Sequence, residues 1–346
     1  MIDLKASFSN FQSEPNRQPP FQNSSPMGGE RMLSKLRNVV MAGGLALAGL
    51  SGTSYAADAT IGISIPAADH GWTGGLVYHT KRTVEAMKKA FPNIDFVVVT
   101  SSSATQQVND IEDLMSRKIN ALVVLPQESD PLTEPVKAAK AKGVFVTVVD
   151  RGLAEKNIED LYVGGDNPQY GVAAAEYFKQ KFPDGGKVVV MRGIPTAIDN
   201  IRIEAFQNAL KGSKIEILDM QYANWNPDKG FEVMQDYLQR FPKIDGVWAG
   251  DDDAALGAME AIKQTDRKGV KVLGGSGMNK VIKLVQDGND MVDADIFYPP
   301  TLIIPAIELT TMKFATQAPI NGHYVLGSPL ITKDNAAQYY FPDAPY

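Results

Sequence analysis

The chain has 346 residues, of which 44% are hydrophobic and 21% are charged, and this is enough material for the cores of about two ordinary domains. Its 34 basic and 40 acidic side chains give a formal net charge of -6, and no long basic block occurs, which argues against sequence-independent binding of nucleic acid. Cysteine is absent, which excludes disulfides, thiolate metal sites, cysteine nucleophiles and lipidation at a cysteine.

The N-terminal part of the chain is predicted to be removed during export. Residues 1–31 are rich in Ser, Asn, Gln and Pro, and we interpret them as disordered or as a mis-called translation start. Residues 32–56 follow the order of a secretory signal peptide, with a positive segment, an apolar stretch over 39–50 and a small-x-small cleavage site at 54–56. Because the apolar stretch is shorter than the roughly 20 residues of a membrane-spanning helix, we predict cleavage before Ala57 and export to the periplasm.

Short β-branched runs alternate with segments of helical period along the rest of the chain. The runs predict strands over 60–65, 94–100, 121–125, 144–149, 187–191, 215–219, 246–249 and 270–273. Between the second and third strands, Val108, Ile111, Met115 and Ile119 recur at steps of three to four residues and predict the apolar face of a helix. The run 96–99 lacks alternation, as expected of a parallel strand that is buried on both faces.

This strand–helix–strand pattern occurs twice, before and after about Gly164. It predicts an α/β fold of two doubly wound parallel-sheet lobes. Ligands of such sheets bind beyond the carboxyl ends of the strands. The candidate site therefore consists of the loops that follow the predicted strands, at 66–72, 100–103, 126–130, 150–152, 250–253 and 275–277.

These loops lack the short motifs of catalysis and metal binding. The glycines at 71–75 follow a predicted strand, but their spacing is not G-x-G-x-x-G, and Walker A, G-x-S-x-G and H-E-x-x-H sequences do not occur. His70 and His79 are nine residues apart, which is not a metal-ligand spacing. The acidic run 251–253 offers too few oxygens for calcium, and Asp253 is placed to cap the helix that follows. We therefore expect neither a cofactor nor a metal.

The polar and aromatic residues of the loops suit a hydroxylated ligand. Asp150 and Arg151 place an acceptor beside a fork of donors, which matches the vicinal hydroxyls of sugars and polyols; the alternative is an ion pair that only neutralises itself. Trp72 and Trp225 offer flat faces for the C–H side of a sugar ring, or alternatively cover the hinge or fill the core. Trp248 lies inside an apolar strand and is predicted to be a core residue.

Four segments together carry a family resemblance. They are the opening strand and loop to Trp72, the run 144–152 that ends in Asp-Arg-Gly, the string 193–206 and the run 251–258 that begins with three aspartates. In combination they resemble the ribose-type periplasmic sugar-binding proteins, which are the solute receptors of ABC importers.

The resemblance implies a fold of the type I periplasmic binding protein kind, with two lobes joined by a three-crossover hinge. Lobe 1 would consist of 57–164 plus 297–326, and lobe 2 of 165–296 plus 327–346. Closure of the lobes would trap the ligand between them. The implied pocket positions are His70, Trp72, Thr73, Asp150, Arg151, Asn200, Trp225, Asp251, Ser276 and Phe297.

Four of these positions differ from the ribose pattern. Asn200 stands where an arginine is usual, and Ser276 stands where an aspartate is usual. Thr73 replaces a second aromatic residue, and Phe297 replaces an amide side chain. The substitutions remove one cation and one anion from the pocket.

The charges that remain are those of Asp150, Arg151 and Asp251, which favour a neutral pentose, tetrose or polyol over a sugar acid or phosphate. We expect a monomeric periplasmic receptor, not an enzyme, that delivers a small sugar or polyol to the permease of an ABC importer and has no nucleic-acid partner. The alternatives are an exported α/β enzyme that acts on a small carbohydrate and a sugar-sensing chemoreceptor ligand protein. Related repressors carry a DNA-binding helix-turn-helix at the N-terminus, where this chain has its predicted export signal.

Overall fold

The computed structural model describes residues 58–346. The predicted leading segment 1–31 and signal peptide 32–56, with cleavage before Ala57, lie outside the described residues. Within 58–346 the structure contains no helix with the length and hydropathy that crossing a membrane requires. The same residues contain no cluster of three or more His, Asp or Glu side chains that could hold a metal ion.

The elements alternate between strand and helix for most of the chain. The first group is β1 (Ala59–Pro66), α1 (Gly71–Ala90), β2 (Ile94–Ser101), α2 (Ala104–Ser116), β3 (Ala121–Val124), α3 (Ser129–Ala141), β4 (Phe145–Val149) and β5 (Leu161–Gly165). The second group is α4 (Asn167–Lys181), β6 (Gly186–Arg192), α5 (Ala197–Leu210), β7 (Ile215–Tyr222), α6 (Pro227–Arg240), β8 (Gly246–Ala249), α7 (Asp252–Lys263), β9 (Lys271–Leu273), α8 (Asn279–Asp287) and β10 (Ala294–Ile296). The chain then forms α9 (Ile303–Thr316), β11 (Gly322–Leu326) and β12 (Leu330–Thr332).

Two parallel sheets organise these elements into two lobes. The sheet of lobe 1 has six strands in the order β11-β5-β4-β3-β1-β2, and the sheet of lobe 2 has four strands in the order β7-β6-β8-β9. An antiparallel pair of β10 and β12 adjoins lobe 2. The chain passes between the lobes three times, after β5, after β10 and after β11. The predicted fold class is therefore confirmed.

All eight predicted strands are present, with ends that differ from the prediction by at most three residues. The pattern does not predict four further strands, and each has a physical reason. β10 and β12 have only three residues each, too few to show a period. β5 ends in two glycines, and four of the five residues of β11 are exposed, so neither shows the apolar pattern of a buried strand.

Burial on both faces explains the composition of the central strands. In β1, Ile61, Ile63 and Ile65 are wholly buried. On the opposite face, a Cβ added at Gly62 would lie 2.9 Å from the side chain of Ile119. Apolar side chains therefore cover both faces of the sheet, as expected for parallel strands between helices.

The predicted apolar face of α2 also packs on the sheet of lobe 1. Ile111 is buried, and Val108 and Met115 are half-buried against the same apolar cluster. The helix ends at Ser116, so Ile119 belongs to the following loop, but its side chain joins the same cluster. Loops at the carboxyl ends of strands from both sheets contribute residues to one cavity.

Candidate ligand-binding site

A cavity of about 310 Å³ lies between the loops of the two lobes. It is lined by His70, Trp72, Asp150, Arg151, Ile198, Arg202, Trp225, Asp251, Ser276 and Tyr298. Both lobes contribute, because Asp150 and Arg151 follow β4 and Asp251 follows β8. Residues of both lobes therefore face one space, in which a small molecule would be held from both sides.

Seven of the ten predicted pocket residues line this cavity, and three do not. The seven are His70, Trp72, Asp150, Arg151, Trp225, Asp251 and Ser276. The side chain of Thr73 instead turns into the first turn of α1, where its Oγ1 donates to Oδ1 of Asp69 over 2.7 Å. The exposed Asn200 accepts a hydrogen bond from Arg192, and Phe297 packs against the ring of Tyr339 at 4.6 Å.

Three cavity residues were not predicted, and they lie close in sequence to two predicted residues that do not line the cavity. The three are Ile198, Arg202 and Tyr298. Arg202 is two positions beyond Asn200, about half a turn further around α5. Tyr298 is one position beyond Phe297, and in extended chain a shift of one residue moves a side chain to the opposite face. Arg202 is the only cation of α5, and that was the available signal for it.

Asp150 is fixed by hydrogen bonds from two tyrosines. The hydroxyl of Tyr298 donates to its Oδ1 over 2.5 Å, and the hydroxyl of Tyr162 donates to its carbonyl oxygen over 2.6 Å. The other carboxylate oxygen, Oδ2, lies 4.0 Å from Nε of Arg151. Asp150 is 2% exposed, so its carboxylate faces only the cavity and these partners.

Arg151 is buried beside Asp150 and points its guanidinium across the strand ends. One terminal nitrogen donates to the carbonyl oxygen of Gln127 over 2.8 Å, and the group lies 5.3 Å from the ring of Trp225. Its Nε has no hydrogen-bond partner among residues 58–346. Burial lowers the pKa of Arg151, and the adjacent Asp150 opposes that effect.

Arg202 is held between two aromatic rings at the back of the cavity. Its guanidinium carbon lies 4.2 Å from the ring centre of Tyr170 and 4.3 Å from that of Tyr298. Its Nε donates to Oδ1 of Asn167 over 2.7 Å. Cation–π contacts and this hydrogen bond replace the water that the buried cation loses. Arg202 therefore links the lobe 2 helix α5 to the first crossover between the lobes.

The two indole rings of the cavity are placed by different means. Nε1 of Trp72 donates to the backbone oxygen of Tyr298 over 2.9 Å, which satisfies the polar atom and leaves the ring face free. Trp225 stacks on His70 with ring centres 6.5 Å apart. Its ring lies so close to Gly193 that a Cβ there would be 2.1 Å away, so only glycine fits at that position.

Three cavity residues have a left-handed backbone without being glycine. The φ angles are 58° at Asp150, 53° at Trp225 and 131° at Ser276. Such conformations are costly for residues with a Cβ and persist only where the surrounding contacts hold them. Backbone strain is therefore present in three of the loops that line the cavity.

The lobe 2 wall of the cavity is acidic. Asp251 caps α7 through Oδ1, which accepts from the amide of Ala254 over 3.0 Å, whereas Asp253 was the residue expected to cap. The other carboxyl oxygen of Asp251, Oδ2, has no hydrogen-bond partner among residues 58–346. Burial raises the pKa of Asp251 well above its usual value, and the carboxyls of Asp253 and Asp252 add to the rise.

A second buried acid pair lies behind Ser276. The carboxylate of Asp252 accepts from the amides of Gly275 and Met278 over 2.9 and 2.7 Å, and that of Asp295 accepts from Gly277 over 3.2 Å. Burial raises the pKa of Asp252 to about 6 and that of Asp295 well above its usual value. Burial and the neighbouring carboxyl of Asp252 therefore favour the protonated, neutral form of Asp295, and backbone hydrogen bonds to the two acids hold the loop that carries Ser276.

Residues 61–300 match the family model described as periplasmic binding protein domain. The chain belongs to this family. It is 31% identical over 245 residues to the ribose import binding protein of Bacillus subtilis, an alignment that covers 70% of this chain and 77% of the relative. It is 27% identical over 252 residues to a xylitol-binding protein of Mycolicibacterium smegmatis, with 70% of each chain covered.

A solved structure is similar over nearly its whole length. It is an ABC transporter solute binding protein of Mycobacterium smegmatis with bound glycerol, with a TM-score of 0.74 and 29% identity. The match covers 83% of this chain and 98% of that chain. The predicted resemblance to sugar-binding proteins of ABC importers is thus confirmed, and the relatives are binding proteins.

In this periplasmic binding protein the two lobes also touch beside the cavity. Oδ2 of Asp253, on the lobe 2 helix α7, accepts from the amide of Gly71 at the start of the lobe 1 helix α1 over 3.1 Å. A carboxylate at a helix N-terminus is favourable because the first amides are unpaired and the helix dipole is positive there. Asp253 therefore acts as a contact between the lobes in the closed arrangement.

Proposed function

We propose that this protein is an exported receptor that binds a small neutral sugar or polyol between its lobes and delivers it to the permease of an ABC importer. The named relatives, a ribose import binding protein and a xylitol-binding protein, support this receptor class. The cavity between the lobes supports the position of the ligand.

The ligand class rests on two buried polar atoms that have no hydrogen-bond partner among residues 58–346. They are Nε of Arg151 and Oδ2 of Asp251. Both residues line the cavity, one on each lobe. Leaving such atoms unpaired costs about 1–3 kcal/mol each, or more for a charged group. A hydroxyl both donates and accepts, so a ligand with several hydroxyls pairs both atoms and connects the lobes.

The charges of the cavity favour a neutral ligand. The guanidinium of Arg151 faces Asp150 and donates to a backbone carbonyl, and that of Arg202 is enclosed by tyrosines and bound to Asn167. Asp150 already offsets the charge of Arg151, and tyrosine rings and Asn167 enclose Arg202, so neither cation can fully offset the charge of a phosphate or carboxylate. A sugar acid or sugar phosphate would therefore bury an uncompensated charge.

We further propose that the receptor works as a monomer in the periplasm and releases its ligand unchanged. The family relationship supports binding without chemistry, since the relatives are binding proteins. Contacts from both lobes supply the differential affinity that closure requires.

A thermal-shift screen on the mature protein tests this proposal. The panel contains neutral polyols and sugars of three to six carbons, each beside its acid or phosphate counterpart. A ligand that binds only the folded protein raises stability by RT ln(1 + [L]/Kd), so we expect shifts from neutral compounds and none from the charged counterparts.

Small-angle scattering and product analysis complete the test. We expect the radius of gyration to fall when the bound compound is added and the compound to be recovered intact. A preference for the charged counterparts, or conversion of the compound during incubation, would refute the proposed function.

A further inference from the structure

Tyr298 places a hydroxyl group inside the cavity, at the carboxylate that is best placed for a ligand. Its Oη donates to Oδ1 of Asp150 over 2.5 Å, a short hydrogen bond of the kind that a sugar hydroxyl would make. The phenol of Tyr298 therefore lies against Oδ1 of Asp150 and takes up space beside that oxygen.

Contacts with neighbouring residues hold the side chain of Tyr298 in place. Arg202 lies over its face at 4.3 Å, and Tyr170 meets it edge-on with ring centres 5.8 Å apart. The amide of Gly165 and the Nδ2 of Asn167 both lie 3.3 Å from its hydroxyl and donate to it. The residue is 4% exposed, so the phenol is part of the cavity wall and not a mobile lid.

Three buried polar atoms of the cavity are placed for a ligand. They are Oδ2 of Asp150 and, without a hydrogen-bond partner among residues 58–346, Nε of Arg151 and Oδ2 of Asp251. His70 and Ser276 also line the cavity. A ligand with one diol and one further hydroxyl would pair Oδ2 of Asp150, Nε of Arg151 and Oδ2 of Asp251, because a hydroxyl both donates and accepts.

We propose that Tyr298 determines ligand length, because its phenol fills the position beside Asp150 that the end of a longer sugar would need. This inference rests on the proposed function and makes it narrower. The site then takes a short polyol or tetrose, of about three or four carbons, in preference to pentoses, pentitols and hexoses.

Titration calorimetry with glycerol, erythritol, xylitol, ribose and sorbitol tests the inference. We expect the wild-type protein to bind erythritol or glycerol more tightly than xylitol, ribose or sorbitol. Tyr298→Ala removes the phenol and opens its space. We expect it to reverse the order, with a relative gain for xylitol or ribose of about tenfold, the equivalent of one hydrogen bond to a charged group.

Two further variants separate specificity from damage to the fold. Phe297→Ala changes the neighbouring ring, which packs on Tyr339 outside the cavity, and should leave the ligand order unchanged. Tyr298→Phe keeps the ring and frees Oδ1 of Asp150, and should raise the affinity for xylitol relative to erythritol by about threefold, less than the alanine variant does. It also serves as the test if the alanine variant does not fold.

The outcomes distinguish this inference from the proposed function. If the wild-type protein binds no neutral polyol or sugar, the proposed function fails and the inference fails with it. If it binds ribose, xylitol or sorbitol more tightly than erythritol and glycerol, the receptor function stands and the length limit is wrong. If the Tyr298 variants weaken all five compounds by one common factor, Tyr298 is a structural residue and the inference is overturned.

Discussion

The two carboxylates that face the cavity have opposite surroundings. On lobe 1, Asp150 is enclosed by hydrogen-bond donors, with Tyr298 on one oxygen and Arg151 beside the other. On lobe 2, Asp251 is followed by two further aspartates and retains an unpartnered oxygen among the described residues. Lobe 1 thus presents a carboxylate that donors have already oriented. Lobe 2 instead gathers buried acids that only backbone amides and protons stabilise.

The largest expected effect is on the free energy of unfolding, and it comes from comparing alanine variants of two lobe 2 tryptophans, Trp248 in the core and Trp225 in the cavity wall. Trp248 lies in β8 and packs on Phe206 with ring centres 4.4 Å apart, far inside the core. Trp248→Ala should lower the free energy of unfolding by about 3–5 kcal/mol. Trp225→Ala should instead weaken ligand binding by about 1–3 kcal/mol and leave the urea midpoint close to that of the wild type.

Urea unfolding and binding titrations on both variants measure the difference. Equal losses of stability in Trp225→Ala and Trp248→Ala would show that Trp225 is a core residue and not part of the binding wall.

The next effect compares the two carboxylates directly. Asp150→Asn replaces an acceptor that is bound to Tyr298, and should cost about 1.5–3 kcal/mol of ligand binding, the usual value for a hydrogen bond to a charged group. Asp251→Asn should cost less, because burial already raises the pKa of Asp251 and favours its neutral form. Calorimetry with the same ligand measures the loss of binding free energy in each variant. A larger loss in Asp251→Asn than in Asp150→Asn would show that the carboxyl of lobe 2, and not that of lobe 1, contributes more to binding.

A smaller effect should appear in the pH dependence of stability. The pKa values of Asp252 and Asp295 are raised, the first to about 6, so the stability that this pair contributes is complete below the ordinary pKa of 3.8 and is lost as the pH rises through about 6 and above. Asp295→Asn replaces the carboxyl of Asp295 with an amide that does not titrate and removes its effect on the pKa of Asp252. We expect the unfolding free energy of the wild type to fall more steeply than that of the variant between pH 5 and pH 8, in chemical denaturation.

Asp293 provides the control, because its pKa is shifted in the opposite direction, below the usual value. Burial alone would raise the pKa of Asp293, but hydrogen bonds from Lys181, Tyr177 and Lys271 lower it. Its stabilising contribution is present above pH 3.8 and is lost as the pH falls below that value. Asp293→Asn should therefore change stability at neutral pH without altering the slope between pH 5 and pH 8. A slope unchanged in Asp295→Asn would contradict the raised pKa of Asp295.

The smallest effect concerns the contact between the lobes. A Cβ at Gly71 would lie 2.9 Å from Oδ2 of Asp253 and 2.9 Å from the ring of Tyr346, so Gly71→Ala should hinder closure. The loss of a carboxylate–helix contact is worth about 0.3–1 kcal/mol, and we expect affinity to fall by about two- to fivefold. Gly74→Ala is the matched control on the same helix, since nothing lies within 4 Å of its added Cβ.

Gly74→Ala should leave affinity unchanged and stabilise the helix by about 0.5–1 kcal/mol. Equal affinities of the two variants would show that the contact between Asp253 and Gly71 does not contribute to closure of the lobes.

Where a residue follows a parallel strand, the sequence was enough to place it. Asp150 and Arg151 end β4, and the rule that ligands bind beyond strand ends brings them to the cavity without further knowledge. Residues on helices and in irregular segments were predicted less well. Their direction depends on how the element is rotated about its axis, and tertiary packing sets that rotation.

Arg202 illustrates this limit. A Cβ at Gly171 of α4 would lie 2.1 Å from the backbone oxygen of Arg202, so the backbones of α4 and α5 are in close contact. This contact sets the rotation of α5, and with it Arg202 faces the cavity while Asn200 is exposed. Neither the composition nor the period of α5 contains that information. The same holds for Tyr298, whose direction depends on the position of the strand pair β10 and β12.

The distribution of the indole rings makes the molecule its own optical reporter. The chain has three tryptophans, of which Trp72 and Trp225 line the cavity and Trp248 lies in the core. A ligand that enters the cavity changes the polarity around the first two rings, whereas Trp248 keeps its surroundings and contributes a constant background. Intrinsic fluorescence therefore follows occupancy of the cavity without any attached dye, and Trp225→Phe reveals how much of the signal comes from the ring beside His70.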